Sequence, residues 1–244
     1  MRLVSWNIRR NPDCIDVAFG ELGADVLLAQ ECNVFSHSRL SALGEGIDER
    51  WVKHNWGNVV FSKLPIEKIE IDSEYQGSLT IAKVSHDRLN LAVINAYGLF
   101  ERIGPNSRKK MATPGLHRKL SDLSPILWKR VDIDVHGFLL AGDLNHDRRM
   151  DSHKTFKKKD SNPHSGLFER IEDFQLTDLL VKKYPDGVQT YKSVRGDFPW
   201  QLDHAFVSNG LASTANAFVS EIGLTQGLSD HNPVIVDLEI GLGN

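Results

Sequence analysis

The sequence contains little cysteine, and its thiols form no recognisable motif. Cys14 and Cys32 are the two cysteines among 244 residues, and no CxxC spacing is present. A thiol-ligated zinc site and a disulfide framework are therefore excluded. A glycine-rich phosphate loop is also missing, because Gly44 and Gly46 lack the third glycine that such a loop requires.

Long apolar runs are absent as well. The longest uninterrupted runs reach four residues, as in the segment 26–29, whereas a membrane-spanning helix needs about 20. The N-terminal residues turn polar before the apolar core of a signal peptide could form. We therefore expect a cytoplasmic protein with no membrane partner.

Charge of one sign is not in excess. The 29 basic side chains nearly balance the 32 acidic ones, which gives a net charge of −3. The chain is therefore not a basic coat for nucleic acid, and any binding of a polyanion must come from local basic patches. Ordinary apolar and charged content excludes disordered and fibrous classes. Without repeats or a linker, we expect one domain over residues 1–244 that acts as a monomer.

Short apolar segments bounded by turn residues predict many strands and few helices. We expect helices at 13–22, 36–43, 107–131 and 165–174. We expect strands at 3–8, 25–30, 58–62, 66–71, 78–85, 89–96, 138–142, 176–180, 188–191, 202–208, 217–222 and 232–240. Strands dominate and helices are unevenly spaced, which favours an α+β or layered α/β fold over regular βαβ repetition.

Acidic, amide or imidazole groups stand at the ends of five apolar strands, and a sixth segment places an acid at the start of a strand. These segments are Ser5-Trp6-Asn7, Ala29-Gln30-Glu31, Asn95-Ala96-Tyr97, Gly142-Asp143-Leu144-Asn145, Leu202-Asp203-His204 and Ser229-Asp230-His231. Strand ends are rigid, and sites are commonly built there. Carboxylates that share a pocket raise one another's pKa unless a cation compensates them. Oxygen ligands favour magnesium or manganese over zinc.

Each segment also has a purely structural alternative. Asn7 fits a turn, Asp143 with Asn145 fits an Asx turn, and Tyr97 fits a half-buried aromatic residue. Glu31 is harder to explain structurally, because a carboxylate at the end of a buried strand needs a partner. Ser229-Asp230-His231 is not a serine triad, since adjacent residues on an extended chain point in opposite directions. The structural alternatives lose weight when the six segments are considered in order.

The ordered set resembles the endonuclease/exonuclease/phosphatase superfamily, which includes abasic-site endonucleases, pancreatic-type deoxyribonucleases, inositol-polyphosphate 5-phosphatases and sphingomyelinases. The matching motifs are SWNI, LLAQE, GNVVFSKLPI, INAYG, LLAGDLNHD, QLDHAFVS and LSDHNPVIVDL, and they span nearly the whole chain. The resemblance implies an α/β fold, a four-layered α/β sandwich with two mainly antiparallel sheets packed face to face and helices outside. It also implies a phosphodiester hydrolase that depends on Mg²⁺ or Mn²⁺.

The resemblance implies a metal side of the site. Glu31 matches the main metal-binding glutamate, and Asn7 matches an asparagine near the metal. Asp230 matches a carboxylate on the same side. His146 and Asp147 follow the GDLN motif and have two readings, a second metal site or a cap of the loop.

The resemblance also implies a catalytic side. Asp143 matches the aspartate that orients or deprotonates the attacking water, and Asn145 matches the amide that positions this water. His231 matches the imidazole on the scissile phosphate, and Asp203 matches the carboxylate that orients and charges it. Tyr97 matches a tyrosine that abasic-site endonucleases place against the phosphate.

Basic residues follow three of the strands that end in site residues. The substrate-binding candidates are Arg10, Lys109, Lys110, Arg148, Lys157 and Lys158, together with Trp200 before the Leu202-Asp203 pair. A solvated surface would also explain such charge runs. A positive rim around an acidic, metal-filled centre instead favours an extended polyanion, so we expect nucleic acid as substrate, DNA more than RNA.

Two alternatives to a nuclease stay open at this stage. One is a phosphatase or phosphodiesterase of a small or lipid-linked phosphate ester, although the Cys-Asp-Arg signature of inositol phosphatases is absent at Asp203. The other is an inactive binding module, which is disfavoured because the residues that such a module would lose are all retained, namely Glu31, Asp143, Asp203 and His231. An abasic-site role is weakened by His204, which stands where those enzymes carry a tyrosine, and by the short loop before it.

Overall fold

The structure, a computed structural model, describes residues 1–48, 55–102, 110–111, 113–128, 133–153, 164–194, 196 and 198–239. The described strands are β1 (Arg2–Asn7), β2 (Val26–Cys32), β3 (Ser41–Gly46), β4 (Gly57–Ser62), β5 (Ile66–Lys68), β6 (Leu79–His86), β7 (Leu89–Ala96), β8 (Glu101–Arg102), β9 (Lys110–Met111), β10 (Gly137–Asp143), β11 (Leu176–Asp178), β12 (Asp203–Ser208), β13 (Ala215–Val219) and β14 (Val234–Leu238). The α-helices are α1 (Asp13–Gly20), α2 (Thr113–Leu127), α3 (Ser165–Asp173), α4 (Leu179–Lys183) and α5 (Ile222–Thr225). Short 3₁₀ turns cover Arg148–Asp151 and Asn209–Leu211.

Two six-stranded sheets form the centre of the structure. The first sheet has the order β13-β14-β1-β2-β4-β3, and the second has the order β11-β12-β10-β7-β6-β5. Within these sheets, β1 pairs with β2 and β7 pairs with β10 in parallel, and the other pairs are antiparallel. Strands β8 and β9 form a separate pair.

Alternating apolar side chains create three buried layers around the two sheets. Leu3 of β1 packs in the core between the sheets, whereas its neighbour Val4 faces the outer side, where α1 contributes Ile15. The outer face of the second sheet packs against α2 and α3, which contribute Leu123 and Phe168. Helix, sheet, sheet and helix therefore follow one another as four layers, which confirms the predicted fold.

Several predicted elements differ from the structure. The helix predicted over 107–131 begins at Thr113, after Lys110 and Met111 pair in β9, and the strand predicted over 217–222 ends at Val219. Residues 36–43 form no helix, and the chain instead enters β3, which pairs with β4 from Ser41↔Ser62 to Gly46↔Gly57. The strand predicted over 176–180 ends at Asp178, whose side chain caps α4 by accepting from the N–H groups of residues 180 and 181. The segment 188–191 contributes only isolated bridges at Tyr191.

Both cysteines are buried as free thiols. Burial raises the pKa of Cys14 to about 12 and the pKa of Cys32 to about 11. Across the ranges that the structure describes, every helix is too short or too polar to traverse a lipid bilayer.

Candidate active site

Five strands and the segment that precedes β14 carry the candidate site residues to one edge of the two sheets. Parallel β1 and β2 end together, and so do parallel β7 and β10 of the facing sheet. Antiparallel β12 begins where β10 ends, because Asp143 pairs with Asp203. The residues that this arrangement brings together are Asn7, Glu31, Tyr97, Asp143, Asn145, Asp203 and His231.

Glu31 reaches the site because β2 contains a β-bulge. The register of β2 against β4 shifts between Ala29 and Cys32, and Glu31 adopts a left-handed backbone with φ of 49°. A bulge re-aims side chains in this way. The Glu31 carboxylate oxygen Oε1 accepts hydrogen bonds from Asn7 Nδ2 at 3.2 Å and from the Tyr97 hydroxyl at 3.1 Å.

Asp143 lies fully buried at the centre of the group. One of its oxygens accepts from Asn7 Nδ2 at 3.0 Å, and the other accepts from the backbone N–H of Asn145 at 2.8 Å. The Asn145 amide in turn donates to the carbonyl of Gly98 at 3.0 Å. Burial raises the pKa of Asp143 to about 7, and the nearby Asp203 adds to this, while His231 opposes it.

His231 and Asp203 form a buried dyad. The imidazole Nδ1 lies 2.8 Å from Asp203 Oδ2, so this nitrogen donates to the carboxylate. The other ring nitrogen lies 3.7 Å from Asp143 Oδ2. Burial alone would lower the pKa of His231, but the charges of Asp203 and Asp143 outweigh it and raise the pKa to about 10. The imidazole is therefore a cation at neutral pH.

Tyr97 stays protonated under ordinary conditions. Burial and the negative charge of Glu31 raise the pKa of its hydroxyl well above the usual value. The ring meets Trp56 edge-on at 5.3 Å between centroids, and its backbone carbonyl accepts a hydrogen bond from the buried Lys119. Tyr97 is therefore held as a hydrogen-bond donor.

Three side chains in this group lie close enough together to share a metal ion, although His231 could ligate one only after losing a proton. Asp143, Asp203 and His231 offer ligand atoms that lie within 4.8 Å of one another. Asp203 Oδ1 is buried and accepts no hydrogen bond from the described residues. The carboxylate of Glu31 adds further oxygen donors beside them. A set of carboxylate oxygens suits hard cations such as magnesium or manganese.

The other two metal-side candidates have protein contacts. Asn7 donates to two carboxylates, and its Oδ1 accepts from the N–H of Arg9 at 3.0 Å, so it orients the acidic groups. Asp230 lies beside His231, and its carboxylate is 3.5 Å from the Arg9 guanidinium. Their roles as metal ligands remain predictions.

Asp147, which follows the GDLN motif, caps the loop, as in the second of its two readings. Its carboxylate accepts from the N–H groups of Arg149 and Gln201, each at 2.8 Å, and begins the 3₁₀ turn. His146 is buried, and burial together with neighbouring imidazoles lowers its pKa to about 3.

The predicted substrate-binding residues are spread more widely. Arg10 is exposed near the site, and its N–H donates to the carbonyl of Glu31. Arg148 forms ion pairs with Glu172 of α3 at 2.7 Å and with Asp178 of β11 at 3.3 Å, so in this structure it links these two elements. Trp200 is 8% exposed and packs on Phe198. Lys109, Lys157 and Lys158 lie outside the described residues, and Lys110 is described only by its backbone in β9.

Three further residues support the dyad, and sequence reasoning missed two of them, Thr190 and Tyr191. The Tyr191 ring packs on the His231 ring with centroids 4.8 Å apart. Thr190 Oγ1 accepts from the N–H groups of Leu202 and Asp203 at 2.9 and 3.0 Å. Ser229 Oγ donates to the carbonyl of Asn7 at 2.7 Å and ties the histidine turn to β1. Nothing in the sequence signals these contacts, because each depends on distant segments meeting.

Comparisons with solved structures show which proteins share this fold. An AP endonuclease from Archaeoglobus fulgidus is 19% identical with a TM-score of 0.74, and the match covers 98% of this chain and 100% of that chain. A 3′ phosphatase from Neisseria bound to a product DNA hairpin is 16% identical with a TM-score of 0.75, over 98% and 99% of the two chains. An AP endonuclease from Leishmania major is 18% identical with a TM-score of 0.72, over 98% and 88%.

Sequence comparison identifies the family. A search of curated protein sequences finds no match. A family model does match residues 4–231, and its description is the endonuclease/exonuclease/phosphatase family. This match confirms the predicted family and the prediction of a phosphoesterase. Because it spans most of the sequence, the chain belongs to the endonuclease/exonuclease/phosphatase family.

Proposed function

We propose that the protein is a divalent-metal-dependent phosphodiester hydrolase that cleaves nucleic acid, DNA in preference to RNA. The observation that carries this proposal is the buried His231–Asp203 dyad facing Asp143 across 3.7 Å. A fixed cation and a carboxylate of raised pKa then stand side by side. Phosphoester hydrolysis needs both, one for the charge on phosphate and one for the attacking water.

Each residue of the dyad region has a defined task in this proposal. Asp143 accepts a proton from the attacking water, and a pKa near 7 suits a general base at neutral pH. The ring nitrogen of His231 that does not face Asp203 donates to a phosphate oxygen. Asp203 keeps the imidazole oriented and charged, and Asn145 fixes one Asp143 oxygen through its N–H.

The metal is Mg²⁺ or Mn²⁺ in this proposal, held principally by Glu31. Glu31 is the half-buried carboxylate of the group, and the hydrogen bonds from Asn7 and Tyr97 occupy one of its oxygens. When bound, such an ion neutralises charge on the phosphate and on the leaving oxygen. Tyr97 and Asn7 fix the direction of the Glu31 carboxylate, which is the contribution of this chain.

Support for nucleic acid as substrate comes from the proteins that share the fold. They include AP endonucleases, the endonuclease domain of the TRAS1 retrotransposon and a phosphatase bound to a DNA hairpin. The last of these makes a terminal phosphate on DNA the second candidate substrate. In either case the exposed Arg10 lies at the rim of the site.

A substrate panel tests the proposal. Supercoiled plasmid, single-stranded DNA, abasic duplex, RNA, a 3′-phosphorylated DNA duplex and inositol phosphates are incubated with the protein in Mg²⁺, in Mn²⁺ and in excess EDTA. We expect cleavage of a polynucleotide that depends on metal and is strongly reduced in Glu31→Gln. Full turnover in EDTA would overturn the metal requirement, and turnover confined to inositol phosphates would overturn the assignment to nucleic acid.

A further inference from the structure

We propose that Asn95 is a positioning residue for Glu31, acting through an amide clamp formed by Gln30, Asn58 and Asn95. The clamp joins the two sheets and holds the β-bulge that aims Glu31 into the site. This inference rests on the proposed metal role of Glu31. None of the three amides makes a described hydrogen bond with the candidate catalytic groups. Gln30 and Asn95 belong to two of the six segments, but none of the three is among the site residues that the sequence predicts.

The β-bulge of β2 is the feature that the clamp holds in place. Ala29 pairs with Val59 and Cys32 pairs with Gly57, so two residues of β2, Gln30 and Glu31, stand opposite the single residue Asn58 of β4. A bulge interrupts the regular ladder of hydrogen bonds and bends the strand. The left-handed backbone of Glu31 adds strain, because residues with a Cβ rarely adopt it. Such a conformation persists only where its surroundings hold it.

Asn95 reaches across from the second sheet and holds this interruption. Its Nδ2 donates to the carbonyls of Ala29 at 3.0 Å and Val59 at 3.1 Å, which are the pair immediately before the bulge. Its Oδ1 accepts from Gln30 Nε2 at 2.8 Å, inside the bulge itself. One side chain of β7 therefore contacts both strands on which the bulge depends.

Asn58 completes the connection from the side of β4. Its Nδ2 donates to the backbone carbonyl of Asn95 at 3.0 Å and to that of Ser78 at 3.1 Å. Gln30, Asn58 and Asn95 all have no solvent exposure. Asn95 also stands two residues before Tyr97, on the same face of the chain. The clamp therefore forms the layer directly beneath the candidate site.

The clamp stabilises the folded protein less than apolar side chains at the same positions would. Gln30 Oε1 and Asn58 Oδ1 are buried and accept no hydrogen bond within the described residues. A buried polar network with unsatisfied members is less stabilising than apolar packing. Its presence in a core that is mostly apolar is explained if it fixes Glu31.

Direct metal binding tests the inference without relying on turnover. Mn²⁺ affinity of the full chain is measured in the absence of substrate for wild type, Asn95→Leu, Gln30→Met, Glu31→Gln and Asn95→Leu/Glu31→Gln. Loss of a residue that orients a metal ligand typically weakens affinity about 10- to 100-fold. We expect a change of that size for Asn95→Leu and Gln30→Met, and no further loss when Asn95→Leu is added to Glu31→Gln.

Thr80→Val is the matched control. Thr80 is also buried between the sheets, and its hydroxyl donates to the carbonyl of Asn58 at 3.1 Å, but it contacts neither Ala29 nor Gln30 in the described hydrogen bonds. We expect it to keep wild-type Mn²⁺ affinity. Circular dichroism and thermal melting establish that each variant is folded, and Gln30→Met decides the matter if Asn95→Leu does not fold.

The outcomes separate the inference from the proposed function. If Glu31→Gln weakens Mn²⁺ binding while the folded clamp variants bind as wild type does, the positioning role is wrong and the proposed function stands. If Glu31→Gln leaves binding unchanged, the metal role of Glu31 and the inference fall together. An Asn95→Leu loss that persists in full on top of Glu31→Gln also overturns the inference, because the clamp then acts through another group.

Discussion

His231 and Asp203 form the closest contact between titratable side chains of the candidate site. Removing the imidazole in His231→Ala should lower turnover about 10²- to 10⁴-fold, as expected for the loss of an acid–base or charge-stabilising group. Asp203→Asn should act in the same direction, because Asp203 orients His231 and keeps it charged. Steady-state kinetics of both single variants and of the double variant measure this coupling.

The double variant provides the decisive comparison. If Asp203 acts through His231, the double variant should be little worse than His231→Ala. Full additivity of the two losses would show that the residues act independently.

Asp143 should make the metal-free protein less stable as the pH rises. Its pKa is about 7 when folded and 3.8 in the reference state. Between these values the folded state binds more protons than the unfolded state, so the free energy of unfolding falls with increasing pH. Asp143→Asn lacks this titration. Its stability relative to wild type should therefore improve by about 1 kcal/mol or more between about pH 4 and about pH 8.

Denaturant unfolding in EDTA, measured across this pH range for both proteins, tests the sign. A stability difference that does not change with pH would contradict the raised pKa.

At the scale of elements, the end of β10 depends on a glycine. Gly142 has φ of 152°, and a Cβ there would lie 1.9 Å from the carbonyl oxygen of Ala96 in β7. Gly142→Ala should therefore push β10 away from β7, shift Asp143 and lower the free energy of unfolding by more than about 1 kcal/mol. Turnover should fall with it, because a small displacement of a reacting group is costly.

Gly166→Ala is the matched control for that prediction. Gly166 lies in α3, where an added Cβ would meet nothing within 4 Å. Alanine in a helix should raise stability by about 0.5–1 kcal/mol and leave turnover unchanged. Chemical denaturation and kinetics of the two variants compare them directly, and equal stability of Gly142→Ala and wild type would refute the backbone collision.

The elements that the sequence predicted well are those with strong periodicity. Leu116, Leu120 and Leu123 recur at helical spacing and all enter the core beneath α2. The segment 36–43 lacks this helical spacing, and its structure is decided by the pairing of β3 with β4. A local sequence pattern cannot indicate that pairing, because the two strands are separated along the chain. The bulge in β2 likewise could not be predicted from the sequence, because it depends on side-chain amides of β4 and β7.

At the scale of the whole molecule, the site residues could be predicted as a set because their order along the chain matches a family. Their contacts could not be predicted in the same way. Asn7 meets Asp143 across 136 residues of sequence, and the Asp230 carboxylate faces Arg9, a contact that no local pattern indicates. Residue identities follow from motifs, whereas partners follow from the way that the two sheets stack.

A net charge of −3 gives the whole molecule no general attraction to a polyanion, so the proposed binding of nucleic acid would depend on local basic residues. If Lys157 and Lys158 contact phosphates as part of a basic rim, Lys157→Glu/Lys158→Glu should weaken binding of duplex DNA and make it less sensitive to salt. In a plot of the logarithm of the binding constant against the logarithm of the salt concentration, each neutralised phosphate contributes a slope of about −0.9. Hydrolysis of a small artificial diester should be unaffected, because it has no remote phosphate.

Lys182→Glu/Lys183→Glu reverses the same number of charges away from the site. Lys183 lies near the start of β1, because Lys183 and Arg2 both lie over the Phe218 ring and Arg2 is the first residue of that strand. The site residue Asn7 lies at the opposite end of β1. Over six residues, a strand separates these ends by roughly 17 Å, about two Debye lengths at physiological salt. The control should therefore keep the wild-type slope. Identical shallow slopes for wild type and Lys157→Glu/Lys158→Glu, measured by fluorescence anisotropy across a salt series, would remove the basic rim as a reason to prefer a polynucleotide over a small phosphate ester.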